Sequence, residues 1–176
     1  MSSVAETVVD TDDCPECLFG NLNWLLTQAH YALGTELALA FEPLAISPRG
    51  HSVLAAAMTA PHTQKELAEV VGLDKTTMVV TLDELEAAGL ARRVPSSIDR
   101  RARVVEVTNA GRAKVAAADK IVTRVQADVL ASVGARDGDA LLAALGRLVR
   151  TRLAEPAPCK GVRRREPRAH SAAIHR

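Results

Sequence analysis

Residues 63–90 read TQKELAEVVGLDKTTMVVTLDELEAAGL, and this stretch decides the fold. Thr63 is a residue whose hydroxyl caps a helix, and Glu66 three positions later completes a capping box, so the spacing predicts a short helix over Gln64 to Val71. Gly72 is the natural residue just past its end, where the backbone turns left-handed. Asp74 then caps a second helix that runs to about Ala88 and stops at Gly89. Leu67, Ala68, Val71, Leu73, Met78, Leu82 and Leu85 recur at helical steps and supply one core for both helices. Two short capped helices joined by a tight turn describe a helix-turn-helix.

Toward the C-terminus the apolar period switches from 3.6 to about 2. Leu90 to Val94 and Arg103 to Val107 have strand character, with the turn-forming run Pro95-Ser96-Ser97-Ile98-Asp99 between them. A hairpin directly after a helix-turn-helix is a wing. Arg92, Arg93, Arg100, Arg101 and Arg103 stand there against a single Asp99. Such a run is either a solvated loop or a surface made for phosphates, and its place after a helix-turn-helix favours the second.

On the N-terminal side, Ser47-Pro48 opens a helix through Met58 to about Ala60, and Pro61 stops it. Before it, Leu18, Leu22, Leu25, Leu26, Ala29, Leu33, Leu37, Phe41 and Leu44 form an apolar stripe along a helix that Pro43 and Pro48 end. Beyond the hairpin, Thr108 caps a long helix to about Val133, and a last helix runs from about Asp137 to Leu153. The stripes Val115, Ala118, Val122, Val125, Val129 and Leu141, Leu142, Leu145, Leu148, Val149 exceed what a small domain hides alone, so a subunit interface is expected.

The chain has 176 residues, 48% of them hydrophobic but only 2% aromatic, so its core must be small aliphatic side chains on packed helices. The expected fold is mainly α with a small β-hairpin wing: a winged helix-turn-helix with N- and C-terminal dimerisation helices. In order, we expect an acidic mobile arm at 1–17, linking and dimerisation helices at 18–60, the winged region at 61–108, dimerisation helices at 109–155 and a basic disordered tail at 156–176. The net charge of +1 hides an asymmetry, because six Lys or Arg against one Glu follow Pro156, leaving 16 basic and 20 acidic groups before it. Lys160, Arg163, Arg164, Arg165 and Arg168 of that tail either add salt-sensitive affinity for nucleic acid or are simply solvated. No apolar run is long enough to span a bilayer and no secretory signal opens the chain, so a cytoplasmic protein is expected.

Thr63-Gln64-Lys65-Glu66-Leu67-Ala68, Val71-Gly72-Leu73-Asp74-Lys75-Thr76-Thr77, Leu82, Leu85-Glu86 and Gly89-Leu90 resemble the helix-turn-helix of the MarR family of transcription regulators. Asp99-Arg100-Arg101, followed by Val107-Thr108 and Gly111, resembles its wing motif, a D-x-R with a hydrophobic-Thr pair six residues on. The resemblance spans about residues 18 to 153. It implies a homodimer with intertwined terminal helices, bound to double-stranded DNA at a near-palindromic operator, and repression more than activation. Thr63 and Gln64 would then meet phosphate, while Lys75, Thr76 and Thr77 would open the recognition helix. Arg101 would enter the minor groove with Asp99 holding its guanidinium, and Arg100 and Arg103 would bind flanking phosphates. Many relatives carry a polar residue and an arginine where this chain has Val79 and Val80. Base reading would therefore shift to threonine hydroxyls, thymine methyls and groove shape, unless one of these valines is core.

Members of the family commonly release DNA when a small phenolic or anionic effector binds, or when a cysteine is oxidised. Trp24, His30, Tyr31, Arg49 and His51 are candidate effector contacts, with ordinary packing as the alternative. Cys14 and Cys17 form a C-x-x-C that is incidental, redox-active or metal-binding; a closed zinc site needs four ligands, and the third cysteine, Cys159, lies far off in the tail. The peroxide-sensing branch has its cysteine near Thr27 instead, so that analogy fails. No cofactor is expected, and no enzyme either: His30, His51 and His62 lack a paired nucleophile, carboxylate couple or glycine-rich loop at informative spacing.

Overall fold

A computed structural model describes residues 18–96 and 102–155, so the arm, the wing tip with Asp99, Arg100 and Arg101, and the basic tail lie outside the described residues. The elements are α1 (Leu22–Phe41), a 3-10 turn (Glu42–Leu44), α2 (Pro48–Ala57), α3 (Gln64–Val71), α4 (Lys75–Ala87), β1 (Ala91–Pro95), β2 (Arg103–Val107), α5 (Asn109–Ala131) and α6 (Ala135–Arg150). The chain divides into two compact units, Met1–Val129 and Leu130–Arg176. No helix among the described residues is long and apolar enough to cross a membrane.

Caps set the boundaries much as the sequence predicts. Ser47 Oγ accepts from Gly50 N at 3.0 Å to open α2, and Thr63 and Glu66 form the reciprocal capping box of α3. Gly72 closes α3 at φ 69°, the left-handed region that favours glycine. The first helix is shorter than its apolar stripe: Asn21 caps it at Leu22, and Pro43, lacking an amide hydrogen, turns the chain into the 3-10 segment that holds Leu44. Of that stripe Phe41 alone is fully buried, while Leu22, Leu25 and also Leu39 stay exposed within the single chain.

The core of the first unit joins α2, α3, α4, the hairpin and α5 through Val53, Leu54, Ala57, Leu67, Met78, Leu82, Leu85, Leu90, Ala91, Val105, Val107 and Val115. Ala68, Val71 and Leu73 are partly buried against it, which places the predicted helix-turn-helix core where expected. β1 and β2 pair antiparallel with Arg92 opposite Glu106 and Arg93 opposite Val105. A third piece of backbone borders β2, since Val105 N donates to His62 O at 2.9 Å and Thr63 bridges Val104. Thr108 ties the hairpin to α5: its hydroxyl donates to Gly89 O at 2.8 Å and accepts from Gly111 N at 3.1 Å.

In the second unit a left-handed Gly134 (φ 85°) opens α6, two residues earlier than the sequence suggests. Gly138 is buried close to Leu130, where an added Cβ would lie 3.0 Å from the Leu130 carbonyl oxygen. Leu141, Leu142 and Val149 leave an exposed apolar flank on α6.

Candidate nucleic-acid interface

α4 buries one face in the core of the first unit and leaves the opposite one exposed. Met78, Thr81, Leu82 and Leu85 are buried, and Thr81 meets its one polar need by donating to Thr77 O at 2.8 Å. On the far side, at steps of four, three and four residues, Thr76, Val80, Asp83 and Ala87 are all exposed. Val80 is 49% exposed, whereas Val79 is half-buried beside the stripe. Lys75 is exposed at the first helical residue.

Asp74 anchors the start of this helix. It accepts from Thr77 N at 3.0 Å and from the Thr77 hydroxyl, so the Thr77 side chain is committed to the cap. The Thr77 hydroxyl first, and its backbone amide second, hold the Asp74 carboxyl below the usual carboxylate range. At the start of α3, Thr63 N donates to Glu66 Oε2 at 2.7 Å, and this bond, followed by the Thr63 hydroxyl, lowers the Glu66 carboxyl likewise.

The arginines of the hairpin fall into separate groups. Arg93 faces the body of the protein: Nη2 lies 2.8 Å from Asp83 Oδ1, Nη1 bonds Glu86 Oε2, and Nε donates to Gln64 Oε1 at 3.3 Å. Its backbone amide also donates to Glu86 Oε1 at 2.6 Å. One guanidinium thus fastens β1 to α3 and α4 together, and its side chain is only 23% exposed. Arg92 points to the other face and pairs with Glu106 Oε1 at 2.9 Å; the same bond raises the Arg92 guanidinium and lowers the Glu106 carboxyl. Arg103 is exposed and has no ion pair among the described residues.

Sequence reasoning grouped Arg92 and Arg93 with the outward charge of the wing and did not foresee this division. The signal was present: neighbours on a strand point to opposite faces, so one of the two had to turn toward the acidic flank of α4. Gln64, expected at phosphate, has its carbonyl oxygen engaged by Arg93.

The effector candidates are not gathered in one place. His51 Nε2 lies 2.8 Å from Asp119 Oδ1 of α5, and its ring meets buried Phe41 edge to face at 5.6 Å. Trp24 is half-buried against Phe19, His30 and Arg49 are exposed, and Tyr31 is 73% exposed. An open cleft of about 510 Å³ lies elsewhere in the first unit, between the end of α2 and the hairpin, with Met58, Pro61, Val94, Val104 and Arg112 among its walls. No group of three or more potential metal ligands occurs among the described residues.

The sequence model of the MarR family matches residues 46–102, the span from α2 to the hairpin. The transcriptional repressor CouR bound to a 23-mer DNA duplex is 32% identical over 76% of this chain and 95% of that one, with a TM-score of 0.66. CouR bound to p-coumaroyl-CoA is 27% identical over 78% and 98%, with a TM-score of 0.68. The M. tuberculosis transcriptional regulator MOSR in complex with DNA is 29% identical over 73% and 96%, with a TM-score of 0.60. A shared architecture at this identity over nearly the full length of a repressor assigns the chain to the MarR family of winged helix-turn-helix transcriptional regulators.

Proposed function

We propose that this chain is a homodimeric transcriptional repressor that binds a near-palindromic operator in double-stranded DNA and is released from it by a small ligand. The observation that carries this reading is the Arg93 cluster, which fixes the hairpin to the second helix of the helix-turn-helix while α4 keeps Lys75, Thr76 and Val80 outward and Arg103 remains unpaired among the described residues. α4 would lie in the major groove and the hairpin would reach the backbone beside it. Lys75 and Arg103 would neutralise phosphates, with Arg100 and Arg101 at the wing tip, while Asp99 orients Arg101. Thr63 and Gln64 at the start of α3 would add backbone contacts.

Dimerisation is supported by the apolar surface left open on α1, with Leu39 62% exposed, and independently by that on α6, with Val149 61% exposed. A repressor related at 27% identity is bound to p-coumaroyl-CoA, which is both phenolic and anionic, and this supports a ligand of that class for the present chain. Thiol oxidation at Cys14 and Cys17, which lie outside the described residues, is the alternative release signal.

Fluorescence anisotropy against the gene's own upstream DNA and against random DNA, at several salt concentrations, tests the reading. Preference for the upstream fragment, steep salt dependence and a large loss in Arg101→Ala are expected. Equal weak binding to both fragments, unaffected by Arg101→Ala, would overturn it. Adding p-coumaroyl-CoA or diamide to the preformed complex separates the two release signals.

A further inference from the structure

We infer that Val80, with Thr76 one turn before it, makes α4 a reader of thymine 5-methyl groups, so that operator identity in the major groove is set by methyl contact and not by paired hydrogen bonds to purines. The inference rests on the DNA-binding reading above and adds the residue and the chemical group that decide specificity.

The stripe of α4 opposite the core is Thr76, Val80, Asp83 and Ala87, and only these residues project straight away from the buried Met78, Thr81, Leu82 and Leu85. Bidentate purine reading needs Arg, Lys, Asn or Gln, and α4 contains none of these except Lys75 at its first residue, off the stripe. Asp83 is the one group there suited to the amine of cytosine, and its carboxylate is held by Arg93. Thr77, which the sequence offers as a third reader, has its hydroxyl on Asp74. What remains outward in the first two turns is the isopropyl group of Val80 and the methyl and hydroxyl of Thr76.

Val80 is 49% exposed, so about half of its apolar surface is left uncovered by the protein itself. The major groove offers one apolar group for it, the C5 methyl of thymine, which also distinguishes a thymine from a cytosine at the same site. Covering one methyl is worth about a fourfold change in affinity from the usual transfer value per buried carbon.

The test uses duplexes selected by the full-length protein from a random library, then resynthesised with deoxyuridine in place of thymidine at one position at a time. Deoxyuridine lacks only the methyl. For the unaltered protein, affinity should fall roughly fourfold at one thymine in each half-site, and Val80→Ala should bind the thymine duplex about as weakly and no longer sense the replacement. Val80→Thr, similar in shape, should keep part of the methyl dependence. Indifference of the unaltered protein to every replacement overturns the inference while leaving DNA binding intact, and so does a methyl effect of equal size in Val80→Ala. Failure to select any duplex at low salt removes the DNA-binding reading itself.

Discussion

Arg93 Nη2 lies 2.8 Å from Asp83 Oδ1, so an arginine of the hairpin neutralises a carboxylate on the outer face of the very helix that would enter DNA. Together with Glu86 and Gln64, this contact ties the hairpin to α3 and α4 through one side chain, in addition to the core they share. Arg93→Ala should lower stability by about 1–2 kcal/mol, less than a fully buried pair because part of the cluster is wet. Arg93→Lys should recover little, since an ammonium cannot span three acceptors in different directions. Urea denaturation measures both, and an unchanged midpoint for Arg93→Ala would show that the cluster is not a strut.

Arg92 and Arg103 of the hairpin should separate in their salt dependence. Arg103, unpaired among the described residues, should reduce the slope of log affinity against log salt by roughly 1 per subunit when changed to alanine. Arg92→Ala should change it less, because Glu106 already occupies that guanidinium at 2.9 Å. Equal slopes for the two variants in anisotropy titrations would contradict this division.

Gly111 should not tolerate a side chain. A Cβ there would lie 2.1 Å from the Leu90 carbonyl oxygen and 2.7 Å from Val107 Cγ1, so backbone must move at the point where Thr108 ties the hairpin to α5. Gly111→Ala should cost about 1–3 kcal/mol or more, as overpacking does, despite alanine's better helix propensity. A thermal melt decides it: a variant as stable as the parent would mean that α5 is not seated this closely.

Acid should loosen the helix-turn-helix through its two caps. Glu66 and Asp74 are held below their ordinary values of 4.5 and 3.8 by bonds from Thr63 and Thr77. A carboxyl lowered in the folded state contributes stability that is fully present above its unfolded value and is lost as pH falls through the folded one. The loss should therefore begin as pH drops toward 4.5 and continue below 3.8. Glu66→Gln with Asp74→Asn keeps capping groups but cannot titrate, so denaturation midpoints from pH 6 down to 3 should fall less steeply than in the parent.

Thr63→Ala should cost about 1 kcal/mol, the usual worth of such a cap. Circular dichroism during urea unfolding provides the check, and a change within error would mean that Glu66 alone secures the start of α3.

Much of the fold was legible because its decisive features are local. A hydroxyl three residues before an amide, a glycine just past a helix and a proline without a hydrogen act within one turn of the chain. Thr63, Gly72, Asp74 and Pro43 therefore marked the helix ends to within a residue or two. The family was legible for the same reason, since its motif is a string of such signals in fixed order.

Partnership between distant residues was decided only by the tertiary structure. Five arginines within twelve residues look alike, yet the pleat sends Arg93 to Asp83 and Glu86 of α4 and Arg92 to the opposite face and Glu106. His51, read as a ligand contact, meets Asp119 at 2.8 Å across 68 positions of chain. The sequence by itself determined which segments are helices, where they begin and that a hairpin follows the second helix of the motif, because backbone hydrogen bonding and capping are settled by near neighbours. Which charges are left free for another molecule, and which valine faces outward on α4, depended on how the elements pack, because a side chain's partners are fixed by burial and strand register and not by its position in the chain.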